Sequence, residues 1–132
     1  HLKCCGGTDN ENRRREASEK LKDYLDEQRS SDAVIMLGDY NDEISSSNTG
    51  ENPFYNFVAD AASYSFADMA IANGSQLWWS YPQWPSHIDH ILVTDELFDR
   101  IDTTVVIKAS PCYPDYAEVL SDHRPVGIRI NP

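Results

Sequence analysis

Four short apolar stretches constrain the fold more than any other feature of this sequence: AVIML at 33–37, HIDHILV at 87–93, TTVVI at 103–107 and RPVGIRI at 124–130. Each has the length and the β-branched or alternating character of a strand, and none is long enough for a buried helix. AVIML is a continuous apolar run, which predicts a strand buried on both faces. Pro125 falls at the start of the last stretch, where no ladder donor is needed. Ahead of the strands, residues 12–29 carry Ala17, Leu21, Tyr24, Leu25 and Gln28 at helical spacing with charges elsewhere. That pattern predicts one amphipathic helix. Residues 52–59 and 94–100 read as short helices, with Asn52 and Thr94 as caps and Pro53 in a first turn. The serines at 45–47 read as a loop.

At 132 residues the chain is about one domain long. Its 40% apolar and 11% aromatic content belongs to a folded protein in spite of a net charge of -11. No apolar run approaches the ~20 residues that span a bilayer, and no basic-then-apolar leader opens the chain. The first residue is His rather than Met. The expectation is a sequence that begins after processing or inside something larger, so localisation stays open, secretion and the periplasm included. Cys4, Cys5 and Cys112 make neither an even disulfide framework nor a CxxC pair. The adjacent Cys4 and Cys5 read as small loop residues rather than a soft-metal site. Asn73-Gly-Ser75 matches a glycosylation acceptor, a tripeptide too common to decide anything.

Charge distribution says more than net charge. Between residues 30 and 99 there is no Lys or Arg, against eleven Asp and Glu. Asp32, Glu51, Asp95, Glu96 and Asp99 read as solvated loop charges. Several of the others lie beside apolar strands, where a carboxylate without a base needs water, a histidine or a cation, and a divalent metal is the economical partner. Arg13, Arg14 and Arg15 fall in the first turn of the predicted helix, where the helix dipole disfavours cations. They read either as a solvated helix end or as a contact for an anion or acidic partner.

Three polar clusters adjoin the strands: GDYND at 38–42, HIDHI at 87–91 and SDHRP at 121–125. Groups at strand ends are free of ladder geometry and can converge on one crevice. Taken singly, Gly38-Asp39 is an ordinary turn, Asp89 a hydrogen-bonded acid and His123 a satisfied core histidine. Taken together and in this order they are far more specific.

In that order the motifs resemble the second half of the endonuclease/exonuclease/phosphatase family. Its metal-dependent phosphoesterases include pancreatic-type deoxyribonucleases, abasic-site endonucleases, inositol-phosphate phosphatases and sphingomyelinases. HLK at 1–3 is similar to the family's strand-end histidine, VIMLGDYND to its strand and GD-aromatic-N motif, and SHIDHILVT and SDHRPVGI complete the series. The resemblance implies an α+β fold, the C-terminal half of a four-layer α/β/β/α sandwich, with one mainly antiparallel sheet and helices on one face. Residues 1–132 would then lack the N-terminal half, with its Asn and metal-binding Glu. One apolar sheet face would lie uncovered, a surface for self-association. The resemblance also implies roles. Asp39 and Asn41 hold and polarise the attacking water and a phosphate oxygen, and His123 contacts the scissile phosphate. Asp89 orients His123, Asp122 helps bind metal, and His1 contacts the phosphate or assists the leaving group. The implied reaction is nuclease-like phosphodiester hydrolysis, with weak metal binding and little turnover expected of these residues alone.

Elementary chemistry agrees with that allocation. Phosphate-ester hydrolysis needs a nucleophilic water, charge or donors on the oxygens that become negative, and a stabilised leaving oxygen. Oxygen-rich ligands suit Mg2+ or Mn2+ better than Zn2+. WWSYPQWP at 78–85 sets four aromatics before Asp89. Trp79, Tyr81 and Trp84 make it a stacking wall for a base, an apolar lip for a lipid head group, or a loop packed by prolines. The lack of basic residues from 30 to 99 argues against a long nucleic-acid track there. Alternatives are a phosphomonoesterase or lipid or inositol phosphate hydrolase of the same family, and a non-catalytic binding domain. A zinc hydrolase using His87, His90 and His123 is disfavoured, because residues three apart on a strand point to opposite faces.

Overall fold

The computed structural model describes residues 1–46, 50 and 52–132, so Glu51 and Ser47, read above as loop positions, lie outside the described residues. Helix α1 (Thr8–Gln28) begins earlier than the spacing predicts and buries Arg14, Ser18 and Leu25. Leu21 packs against the core, whereas Tyr24 is 48% exposed and Gln28 is exposed. Polar bonds, rather than apolar periodicity, fix the buried stripe of this charge-rich helix. Ser18 Oγ donates to Asn56 Oδ1 at 2.7 Å, and Asn56 Nδ2 donates back to the Ser18 carbonyl at 3.1 Å.

Strands β1 (Ile35–Asp39), β2 (Tyr64–Phe66) and β3 (Asp89–Thr94) form a three-stranded antiparallel sheet in the order β1-β3-β2. Strands β4 (Ile101–Val106) and β5 (Val126–Ile130) pair as a second antiparallel sheet. The α+β class with antiparallel sheets therefore holds, with the strands divided between two sheets. Three short helices, α2 (Tyr55–Ala59), α3 (Met69–Ala72) and α4 (Tyr116–Val119), and 3-10 turns at Gln76–Trp78 and Asp95–Arg100 fill the connections. Asn52 does not cap the helix, which starts later with Phe54 at its N-cap; its Oδ1 instead accepts the Phe54 N–H at 2.8 Å and closes the turn ahead of α2. Thr94 does not cap: its hydroxyl accepts from Val34 N–H and donates to the Asp32 carbonyl.

The doubly buried strand is β3 rather than β1. Leu92 belongs to a core with Tyr40, Phe54, Phe57 and Phe66, while Ile91 and Val93 join Leu97 in a second cluster against Val126 and Ile128. In β1, Met36 faces the first core, but Ile35 is 38% and Leu37 69% exposed. An edge strand alternates its side chains between faces, so one face of AVIML is left to solvent. Register then does the work for function, setting Gly38 opposite His90 and Asp39 opposite Asp89. Among the described residues no helix is long and apolar enough to cross a membrane.

Candidate active site

GDYND leaves the sheet through an unusual backbone. Gly38 has φ +153°, and Asn41 occupies the left-handed region at φ +55°, where Asn is among the best-tolerated side chains. Asp39 Oδ1 accepts the Asn41 N–H at 2.8 Å and closes an Asx-type turn. The turn brings the Asn41 amide to His1: Asn41 Nδ2 lies 3.3 Å from His1 Nε2 and donates to the Leu2 carbonyl at 3.3 Å. His1 Nε2 is also 3.1 Å from Asp39 Oδ2.

From the other side, His123 Nδ1 sits 2.7 Å from Asp89 Oδ2. The Tyr81 ring lies over the imidazole with centroids 4.8 Å apart. A donor–carboxylate bond at Nδ1 fixes the ring and leaves Nε2 as its working nitrogen. Because Asp39 and Asp89 are cross-strand partners, Asp39, Asp89 and His123 each bring one potential ligand atom within 4.8 Å of the others. Burial pushes the Asp39 carboxyl above its ordinary range and the Asp89 charge adds to this, against the pull of the Asn41 N–H and His123.

Two neighbouring carboxylates, one of them raised by burial, make a fitting seat for a cation. With His123 Nδ1 committed to Asp89, the donors left in the cluster are the oxygens of Asp39, the remaining Asp89 oxygen and His123 Nε2. That set suits a hard divalent ion. A cleft of about 690 Å³ runs past Asp39, Asn41 and His123, lined also by His1, Cys4, Cys5, Glu43, Tyr81, Trp84 and Asp122. Asp122 is exposed on its wall, outside the three-residue cluster. Trp84 stands at the lip, 79% exposed. Trp79 does not line the cleft, since its indole N–H donates to the Ile71 carbonyl at 3.2 Å. Burial, then the charge of Asp42, push the Glu43 carboxyl up, and sequence reasoning passed Glu43 over.

Two further features of the site differ from the sequence reading. Cys4 and Cys5 are joined in a disulfide between neighbours, a pairing that counting cysteines does not reveal. Arg14 is no solvated helix end: it is 2% exposed, and its Nε and Nη2 meet Asp42 Oδ2 at 2.9 and 2.8 Å. Its Nη1 donates to the carbonyls of Lys3 and Cys5 at 2.7 and 3.0 Å. The acidic partner of that arginine lies inside the chain.

His87 and His90 also depart from expectation, because His87 precedes β3 and escapes strand alternation. Both rings reach one oxygen, Asp68 Oδ2, at 3.0 Å from His87 Nε2 and 2.6 Å from His90 Nδ1. His123 belongs to the other cluster, so the proposed zinc trio does not form. Nor does the Asp68 group suit a metal. His87 Nδ1 accepts the Ser80 N–H at 3.2 Å, so the neutral ring carries its proton on the Nε2 that an ion would need. Burial alone would raise the Asp68 carboxyl, but hydrogen bonds from His87 and His90 outweigh it and hold the group well below the usual carboxylate range. Nothing in the sequence pattern marks Asp68.

The family model described as the Endonuclease/Exonuclease/phosphatase family matches residues 3–123, taking in all three strand-end clusters as far as His123. No curated protein matches the chain.

Proposed function

The chain belongs to the endonuclease/exonuclease/phosphatase family, and from that premise we propose that it hydrolyses phosphodiesters in a nuclease-like reaction centred on Asp39, Asn41, Asp89 and His123. The observation that carries this reading is the meeting of Asp39, Asp89 and His123 within 4.8 Å, with the Asp89–His123 bond at 2.7 Å. Asp39, whose burial strengthens its hold on a proton, takes the proton of the attacking water. The Asn41 side chain orients that water and a phosphate oxygen. Asp89 holds His123 by Nδ1, so that Nε2, when protonated, donates to the scissile phosphate. His1, beside Asp39 and Asn41, serves the phosphate or the departing oxygen.

Mg2+ or Mn2+ would be held by the oxygens of Asp39 and Asp89 together with Asn41 and, from the cleft wall, Asp122, and would supply positive charge for phosphate oxygens as they become negative. Tyr81 and Trp84 offer the group beyond the phosphate an aromatic wall, which favours a diester over a simple monoester. The exposed face of Ile35 and Leu37 supports a second layer of the same domain covering this sheet, and slow turnover without it.

Hydrolysis of bis(p-nitrophenyl) phosphate, p-nitrophenyl phosphate and plasmid DNA, each with Mg2+, Mn2+ or EDTA, tests the proposal. Metal-dependent cleavage of the diesters in preference to the monoester is expected. Faster release from the monoester would transfer the chain to the phosphatases, and cleavage indifferent to EDTA would remove the metal from the account.

A further inference from the structure

The Asp68 cluster is bonded toward all three strand-end clusters while lying almost wholly out of solvent. Asp68 and Ser80 are 0% exposed, and His87 and His90 are 1% exposed. Toward GDYND, His90 Nε2 lies 3.0 Å from the Asp42 carbonyl. Toward HIDHI, Asp68 Oδ1 accepts the Ile91 N–H at 2.8 Å. Toward SDHRP the path runs through Ser80. Its N–H is held by His87 Nδ1, its Oγ accepts the N–H groups of Ile88 and Asp89 at 3.2 Å each, and its carbonyl accepts the Arg124 N–H at 2.7 Å. Arg124 follows His123 directly in the chain.

Each of these bonds has a defined direction. The Asp42 carbonyl can only accept, so His90 Nε2 must carry a proton, while Nδ1 faces a carboxylate. His87 accepts at Nδ1 and donates at Nε2. Among the described residues no buried side-chain polar atom lacks a partner. A closed network of this kind admits one arrangement of its members, because flipping either ring puts carbon where its nitrogens now bond and leaves those partners unpaired in a dry interior. The core could be filled more simply by apolar side chains, and ionic pairs in such places contribute little net stability.

We propose that Asp68, His87 and His90 are positioning residues: a buried hub that sets Asp39–Asn41 and Asp89–His123 at their mutual spacing through the Asp42 carbonyl and Ser80. The kinetic consequence rests on the phosphoesterase reading; the positional one does not. Small displacements of reacting groups cost rate steeply, and about 1 Å is worth on the order of 100-fold.

Side chains that mimic one ring nitrogen at a time test the hub. His90→Asn keeps a polar atom near Nδ1 for Asp68 and loses the reach to the Asp42 carbonyl, whereas His90→Gln keeps the reach. His87→Gln keeps the reach to Asp68 and loses the Ser80 N–H bond. Two readouts are taken on the full chain: the NMR resonances of the His123 Nδ1–H and Asn41 amide, and kcat and KM on bis(p-nitrophenyl) phosphate. His90→Asn is expected to displace the Asn41 signal and His87→Gln the His123 signal, with kcat down about 10- to 100-fold and KM within about twofold. His90→Gln should restore most of the loss seen in His90→Asn.

Folded variants that keep both resonances, or a His90→Gln as impaired as His90→Asn, would overturn the hub. Should substitution at the histidines unfold the chain, Ser80→Ala carries the same test: it removes the hydroxyl bonds to Ile88 and Asp89 and leaves both imidazoles. A displaced His123 resonance in Ser80→Ala supports the hub and an unmoved one refutes it. The resonances decide the hub whether or not the chain turns over the diester, since these residues alone are expected to turn over slowly.

Discussion

Arg14→Met retains most of the aliphatic stem and deletes a guanidinium whose side chain is 3% exposed. The deletion strands the Asp42 carboxylate, 21% exposed, and frees the Lys3 and Cys5 carbonyls at the edge of the cleft. Removing one partner of a buried ion pair costs about 3–5 kcal/mol. Water reaching the partly exposed Asp42 recovers some of this, and the two carbonyls lie close enough to solvent to rehydrate. The expected loss is therefore at the low end, about 3 kcal/mol. For a chain of this length that lowers Tm by roughly 10 °C. Urea unfolding of the wild type, Arg14→Met, Asp42→Asn and the double variant measures both the loss and the coupling. Neutralising Asp42 removes the stranded charge, so Arg14→Met should cost about 2 kcal/mol less in that background. A single-variant loss below about 1 kcal/mol, or additivity within about 0.5 kcal/mol, would refute the inference that Arg14 anchors the cleft edge.

Acid stability carries the signature of Asp68. Its native carboxyl lies below the unfolded value of about 3.9, so its stabilisation is complete above that pH and is lost as pH falls toward the native value. Unfolding free energies measured down through that range should fall steeply, and Asp68→Asn should flatten the limb; parallel curves would contradict the assignment. Asp39 acts with opposite sign, since a carboxyl raised by burial disfavours the folded state as pH rises through its native value. Reduction of Cys4–Cys5 by a dithiol opens the shortest loop a bridge can close, so global stability should drop by only about 1 kcal/mol. Amide exchange at residues 2–7, where the Lys3 and Cys5 carbonyls hold Arg14, should nonetheless quicken; unchanged exchange would separate the bridge from the cleft. The open face of Ile35 and Leu37 should drive self-association, seen as concentration-dependent sedimentation that Leu37→Glu abolishes. A monomer at all concentrations, before and after substitution, would dismiss that surface.

The strand-end clusters were legible because each pairs a strand-like apolar run with residue types that have no packing reason to stand there. Spacing alone put Asp39, Asn41, Asp89 and His123 at the ends of strands, and the antiparallel register converts that into proximity. Burial was less legible. AVIML reads as doubly buried, yet hydropathy cannot say that β1 sits at a sheet edge while β3 takes the centre. β2, only Tyr64–Phe66, is too short for any periodicity. Leu21 and Leu25 lie on the helix face that periodicity marks, but Arg14 and Ser18, polar by type, complete it through hydrogen bonds that no hydrophobic pattern encodes. The opposed orientation expected for His87 and His90 failed on two residues of boundary, since β3 begins at Asp89. Asp68 was invisible, as its partners lie 19 and 22 positions away.

Mn2+ titrated into the chain, with NMR line broadening read residue by residue, tests the central claim most directly, because it locates the ion without depending on turnover. Broadening centred on residues 38–41, Asp89 and His123, removed by Asp39→Ala, is the result expected of a single metal and phosphate centre built from the three strand ends. Broadening along the acidic surface of α1, or a pattern that Asp39→Ala leaves unchanged, would contradict it.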